Sequence, residues 1–105
     1  MNDAADLQAV YVRAARMVGR PIADEFILVP LVGHGAEVDA IFSLNGVAAF
    51  IWKQLDGTKN GVAIVKALVA RYEVNPDQAG ADYRGFVDKL LSINAITRVE
   101  AAPAP

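Results

Sequence analysis

The spacing of apolar residues changes at Asn45, and that change limits the folds open to the chain. Before it, residues 37–44 read Glu37-Val38-Asp39-Ala40-Ile41-Phe42-Ser43-Leu44. Val38, Ala40, Phe42 and Leu44 fall on one side of an extended backbone; Glu37, Asp39, Ile41 and Ser43 fall on the other, as in a half-buried strand. After it, Val47, Ala48, Ile51, Trp52 and Leu55 recur at helical spacing. A strand that runs straight into a helix, followed by more helical pattern, is the order of an α+β domain.

Upstream, Glu25-Phe26-Ile27-Leu28-Val29-Pro30-Leu31-Val32 is a β-rich run. Pro30 has no N–H to give a ladder, so pairing has to fail there, at a bulge or a strand end. Gly33-His34-Gly35-Ala36 reads as a turn, which makes 25–32 and 37–44 a hairpin. Pro21 biases Arg20 away from helix, so 16–22 reads as extended. Residues 1–15 stay open: Leu7, Val10, Tyr11, Ala14, Met17 and Val18 follow helical spacing, yet Gly19 and Pro21 interrupt soon after.

Downstream, the helix ends can be read from local chemistry. Asn45 caps the first helix, and Asp56-Gly57 ends it. Asn60 caps a second helix with the stripe Ile64, Val65, Leu68, Tyr72. Asn75-Pro76-Asp77-Gln78 opens a third, with Pro at the first position and Gln where a capping box wants it. Its stripe is Ala79, Tyr83, Phe86, Val87, Leu90 and Leu91, with Gly80 and Gly85 inside it. Asn94 suits a left-handed C-cap, Ile96-Thr97-Arg98-Val99 a short last strand, and Ala101-Ala102-Pro103-Ala104-Pro105 a frayed tail. The expected order is a small sheet followed by three short helices, an α+β pattern.

Composition narrows the function. The chain has 105 residues, one domain's worth, with 54% hydrophobic and 21% charged residues, a balance that excludes disorder for its bulk. There is no cysteine, which removes disulfides, thiolate catalysis, thiolate zinc and cysteine-held clusters. His34 is the single histidine. The start, Met1-Asn2-Asp3-Ala4-Ala5-Asp6, is acidic and unlike a signal peptide, and the apolar runs fall short of the ~20 residues of a spanning helix, so the expected location is the cytoplasm. A Ser/His/Asp set would need His34 with Ser43 or Ser92, and His34 sits in a Gly-flanked turn. Asp24 and Glu25 are adjacent in extended chain and point apart. No catalytic residue, metal ligand or cofactor site is expected, and the protein is expected not to be an enzyme.

Two binding readings remain. A winged-helix DNA-binding regulator needs a basic helix face. The second helix offers Lys66 and Arg71 against Glu73, and the third Arg84 and Lys89 against Asp77, Asp82 and Asp88; Arg13, Arg16 and Arg20 lie outside both, and net charge is −2. The other reading uses a sheet edge, whose unpaired N–H and C=O groups accept another chain as an added strand. Strand 37–44 and helix 75–93 would form the floor and wall of such a groove, although Phe86, Val87 and Leu90 also read as plain core.

The segment Phe42-Ser43-Leu44-Asn45-Gly46-Val47-Ala48-Ala49-Phe50-Ile51-Trp52-Lys53-Gln54-Leu55-Asp56-Gly57 resembles the PqqD family, with its Leu-Asn, small residues, apolar-Trp pair and Leu-Asp-Gly. Arg20-Pro21 through Pro30, Ile64 and Leu68, Tyr72-Glu73-Val74-Asn75, and Asp82, Phe86, Leu90 and Leu91 match in the same order, so the resemblance spans about residues 16–99. Asn60 stands where the family often has Thr or Ser, Asn94 where it often has Gly, and Gly46 where it often has a longer side chain. The resemblance implies an α+β, winged-helix-like domain, a small three-stranded antiparallel sheet followed by three helices, of the kind called a RiPP recognition element, a non-catalytic chaperone. Such a domain binds the leader of a ribosomally made precursor peptide and presents it to a modifying enzyme, often a radical SAM maturase; in the founding case the product is pyrroloquinoline quinone. It implies that the leader adds beside Asp39, Ala40, Ile41, Phe42 and Ser43 and packs on Tyr83, Phe86, Val87 and Leu90, with no nucleic acid or membrane as partner. The expected organisation is an arm at 1–15, the peptide-binding domain at 16–99 and a tail at 100–105, in a monomer or a swapped homodimer.

Overall fold

The computed structural model describes residues 5–30 and 42–99. The turn expected at 33–36, the strand residues Asp39, Ala40 and Ile41, and the tail from 100 lie outside the described residues. In chain order the elements are β1 (Val10–Arg13), β2 (Met17–Ile22), β3 (Glu25–Pro30), β4 (Phe42–Leu44), α1 (Gly46–Gln54), β5 (Asp56–Asn60), α2 (Gly61–Tyr72), α3 (Pro76–Ser92) and β6 (Ile96–Arg98). The fold is α+β, with small antiparallel sheets and three helices.

The expected sheet is β2-β3-β4. Gly19 pairs with Leu28 and Ile22 with Glu25 across the first hairpin; Phe26 pairs with Leu44, Ile27 with Ser43 and Leu28 with Phe42 across the second. Pro30 stands at the end of β3.

A second sheet, β5-β1-β6, was not expected. Residues 10–13, placed in the arm by the sequence reading, are its central strand: Val12 faces Asp56 of β5 on one side and Thr97 of β6 on the other. Tyr11 is buried there. Asp56-Gly57 does end α1, but it also opens β5. Asp56 Oδ1 accepts from the Thr58 N–H and hydroxyl, and Gly57 takes φ 86° against Val12, where the β1–β5 register shifts. A left-handed glycine of this kind re-aims a strand at a bulge.

The caps behave as their residue types dictate. Asn45 accepts from the Ala48 N–H (2.8 Å), Asn60 from Ala63 (3.0 Å) and Asn75 from Asp77 (2.7 Å). Gln78 does not complete a capping box; its amide donates forward to Asp82 at 2.8 Å. Asn94, at φ 60°, ends α3 in a Schellman motif, with Ala95 N–H donating to the Leu90 carbonyl and Asn94 N–H to Leu91. The C-terminus of α1 is held from outside: Arg13 Nη1 donates to the Trp52 and Lys53 carbonyls (3.0 Å each), with its guanidinium over the Trp52 ring. A cation there offsets the negative end of the helix.

The core is where the three helices meet the two sheets. Leu28, Ile51, Leu55, Ile64, Leu68 and Val87 are fully buried. Each such side chain stabilises the fold by roughly 1.5–3 kcal/mol relative to exposure.

Candidate functional site

β4 is the outer strand of its sheet, and no described strand pairs with its other side. The backbone N–H and C=O groups of such an outer strand are of the kind that accept an added strand. β2, the opposite outer strand, carries Pro21, which removes one donor. β4 runs through the cap Asn45 directly into α1, and α3 lies across from it.

Between them is a cleft of about 180 Å³. β4 contributes Ser43 and Leu44; the turn and first turn of α1 contribute Asn45 and Ala48; α3 contributes Phe86, Lys89 and Leu90, with Ile93 just beyond its end and Leu28 from β3. The α3 wall follows from helical geometry: residues 86, 89, 90 and 93 stack along one face. The cleft surface is mixed, with apolar walls from Leu28, Leu44, Phe86, Leu90 and Ile93 and polar groups from Ser43, Asn45 and Lys89. Ser43 Oγ donates to Glu25 Oε1 at 3.1 Å, and Asn45 Oδ1 is engaged by the Ala48 N–H.

Of the residues expected to meet a peptide, Asp39, Ala40 and Ile41 lie outside the described residues. Phe42 and Ser43 form β4, and Ser43, Phe86 and Leu90 are brought together at the cleft. Tyr83 and Val87 are not: both are 0% exposed, packed into the core. Tyr83 lies beside Gly61 at the start of α2, and neither side chain lines the cleft beside β4. The residues missed by sequence reading are Leu28, Leu44, Asn45, Ala48, Lys89 and Ile93. The i, i+3, i+4, i+7 rule from Phe86 would have found Lys89 and Ile93; Ala48 and Asn45 join the cleft only because β4 turns into α1 there.

The other polar groups have local roles. Thr58 hydroxyl and Lys59 ammonium beside Asp56 hold its carboxyl at a pKa of about 2. Burial pushes the Tyr83 hydroxyl up to about 12, with Tyr11 and Asp6 adding to the effect. Among the described residues no group of three His, Cys, Asp or Glu side chains is placed to hold a metal ion. Arg13, one of the cations weighed for DNA, is committed to the end of α1. No described helix is long and apolar enough to cross a membrane.

The family model for coenzyme PQQ synthesis protein D (PqqD) matches residues 25–96, which run from β3 into β6. A solved structure, TbiB1 in complex with the TbiA(beta) leader peptide, is similar with a TM-score of 0.67 at 26% identity, covering 86% of this chain and 99% of that one. None of the curated proteins matches the chain.

Proposed function

Since the chain belongs to the PqqD family, we propose that it binds the leader segment of a ribosomally made precursor peptide, as TbiB1 binds the TbiA(beta) leader. The observation that carries this reading is the cleft between the outer edge of β4 and the Phe86–Leu90 face of α3. A leader strand pairs antiparallel with β4 and sets its apolar side chains against Phe86 and Leu90. Asp39, Ala40 and Ile41 extend the same pairing on the strand pattern of the sequence, and Tyr83 and Val87 anchor α3 in the core. The protein performs no chemistry itself and hands the peptide to a modifying enzyme such as a radical SAM maturase.

The energetics are adequate. Several backbone hydrogen bonds at ~0.5–1.5 kcal/mol each and about two or three buried side chains at ~1.5–3 kcal/mol each exceed the ~2–5 kcal/mol that ordering a disordered peptide costs.

The test mixes the protein with a fluorescently labelled candidate leader peptide, taken from any short reading frame found beside its gene, and separately with a labelled DNA duplex, at two salt concentrations. Saturable leader binding with weak salt dependence is expected. Duplex binding that falls steeply with salt, with no leader binding, would overturn the reading. Strand addition is checked at Ile41: proline there deletes a backbone donor and is expected to weaken leader binding more than alanine does, once circular dichroism has shown both variants folded. Equal losses would argue for side-chain docking without pairing.

A further inference from the structure

Residues 5–9, which lead into β1, lie across α2 and α3 and are held at several points. The Leu7 carbonyl accepts from the Val62 N–H at 3.1 Å. That N–H is a first-turn donor of α2 which the cap Asn60, engaged with Ala63, leaves open. The Ala5 N–H donates to the Asp88 carboxylate of α3. Leu7 also lies against Gly61, where a Cβ would come within 2.9 Å of Leu7 Cα and 2.7 Å of the Tyr83 ring. Only a residue without a side chain lets this segment, α2 and Tyr83 meet there.

α3 therefore touches two things. Tyr83 and Asp88 face the N-terminal segment; Phe86 and Leu90 face the cleft. At 3.6 residues per turn Asp88 points nearly half a turn away from Phe86 and Leu90, while Tyr83, seven residues before Leu90, lies almost in line with it along the helix. One group opposes the closed arrangement: the Tyr83 hydroxyl is buried with no hydrogen-bond partner among the described residues. Lifting the segment would return that hydroxyl to water.

Resting on the leader-binding reading, we propose that residues 5–9 are a strap that sets the affinity of the cleft on the far side of α3. Docked, the strap ties α3 to the start of α2 and holds Phe86 and Leu90 at their spacing from β4. Lifted, α3 loses that tether, and the fraction of molecules with a formed cleft falls. Apparent affinity falls by the same fraction. The coupling is reciprocal, so a bound leader favours the docked strap.

The chain allows a direct test, because it has no cysteine of its own. Spin labels on Glu25→Cys and Ser92→Cys report the distance between the sheet and the end of α3. Leu7→Asp is chosen to lift the strap and Tyr83→Phe to strengthen its docking. With Leu7→Asp, the Val62 amide is expected to exchange faster, the label distances to broaden, and the labelled leader to bind about 5-fold or more weakly. Tyr83→Phe is expected to move all of these readouts the other way. Faster Val62 exchange with unchanged distances and leader affinity would overturn the proposal, as would unchanged exchange at Val62. If the unaltered protein fails to bind the leader, the proposed function falls, while the label distances still judge the strap.

Discussion

Gly19 of β2 and Trp52 of α1 are in contact so close that a Cβ on Gly19 would lie 2.7 Å from the indole Nε1. The same Cβ would lie 2.6 Å from the ring of Phe26. The missing side chain thus lets two aromatic rings, one from the sheet and one from the helix, share one site. This contact fixes the sheet against α1, and so the end of β4 against the cleft.

Gly19→Ala is accordingly expected to destabilise the fold by ~1–3 kcal/mol, the range of an overpacked core. Trp52 is the only tryptophan, and it is buried. Its emission should shift to the red in the variant, and urea unfolding should give the loss. A variant as stable as the parent, with unshifted emission, would mean that β2 and α1 part without cost.

Gly80 and Gly85 are the opposite case. Both lie inside α3, and a Cβ at either meets nothing within 4 Å. Alanine at each should stabilise the protein by ~0.5–1 kcal/mol by lowering the entropy lost on folding. Thermal melts of the single and double variants check this; a lower melting temperature would reveal a constraint on α3 that its packing does not show.

Acid should weaken the fold through Asp56. Its folded pKa of about 2 lies below the ordinary 3.8, first through the Thr58 hydroxyl and then through Lys59. A lowered carboxylate pKa contributes stability above the unfolded value, and that contribution is lost as pH falls through the folded one. Stability should therefore decline between about pH 4 and pH 2, and Asp56→Asn should flatten that part of the profile. Parallel profiles for the two proteins would remove Asp56 as the cause.

Ala48 and Phe86 should control what enters the cleft. Ala48→Leu places a branched side chain in a space of about 180 Å³. It is expected to weaken leader binding by roughly tenfold or more, equivalent to about 1.4 kcal/mol, with little change in melting temperature. Phe86→Ala removes an apolar wall and is expected to weaken binding similarly. Calorimetry with the leader decides: full affinity in Ala48→Leu would place the peptide elsewhere.

Much of the fold could be read from residue chemistry. Asn45, Asn60 and Asn75 cap because a short amide accepts the orphan N–H groups that follow it, and Asn94 ends α3 because it tolerates the left-handed backbone. These are contacts within a few residues, so they leave a mark in any window of the sequence. The apolar stripes of the helices likewise named Ile51, Ile64, Leu68, Val87 and Leu90 as buried.

What the sequence determined by itself was which residues leave water and where helices begin and end. Tertiary structure decided what those residues meet. β1 gains its ladder bonds from β5 and β6, both remote in the chain, so Val10–Arg13 shows no strand period of its own. In the same way the stripe of α3 contains Tyr83 and Phe86 alike, and only the packing of α3 in the tertiary structure leaves one in the core and puts the other at the cleft. The physical reason is that hydrophobic burial is non-directional: it selects an apolar side chain for the interior without choosing its neighbour.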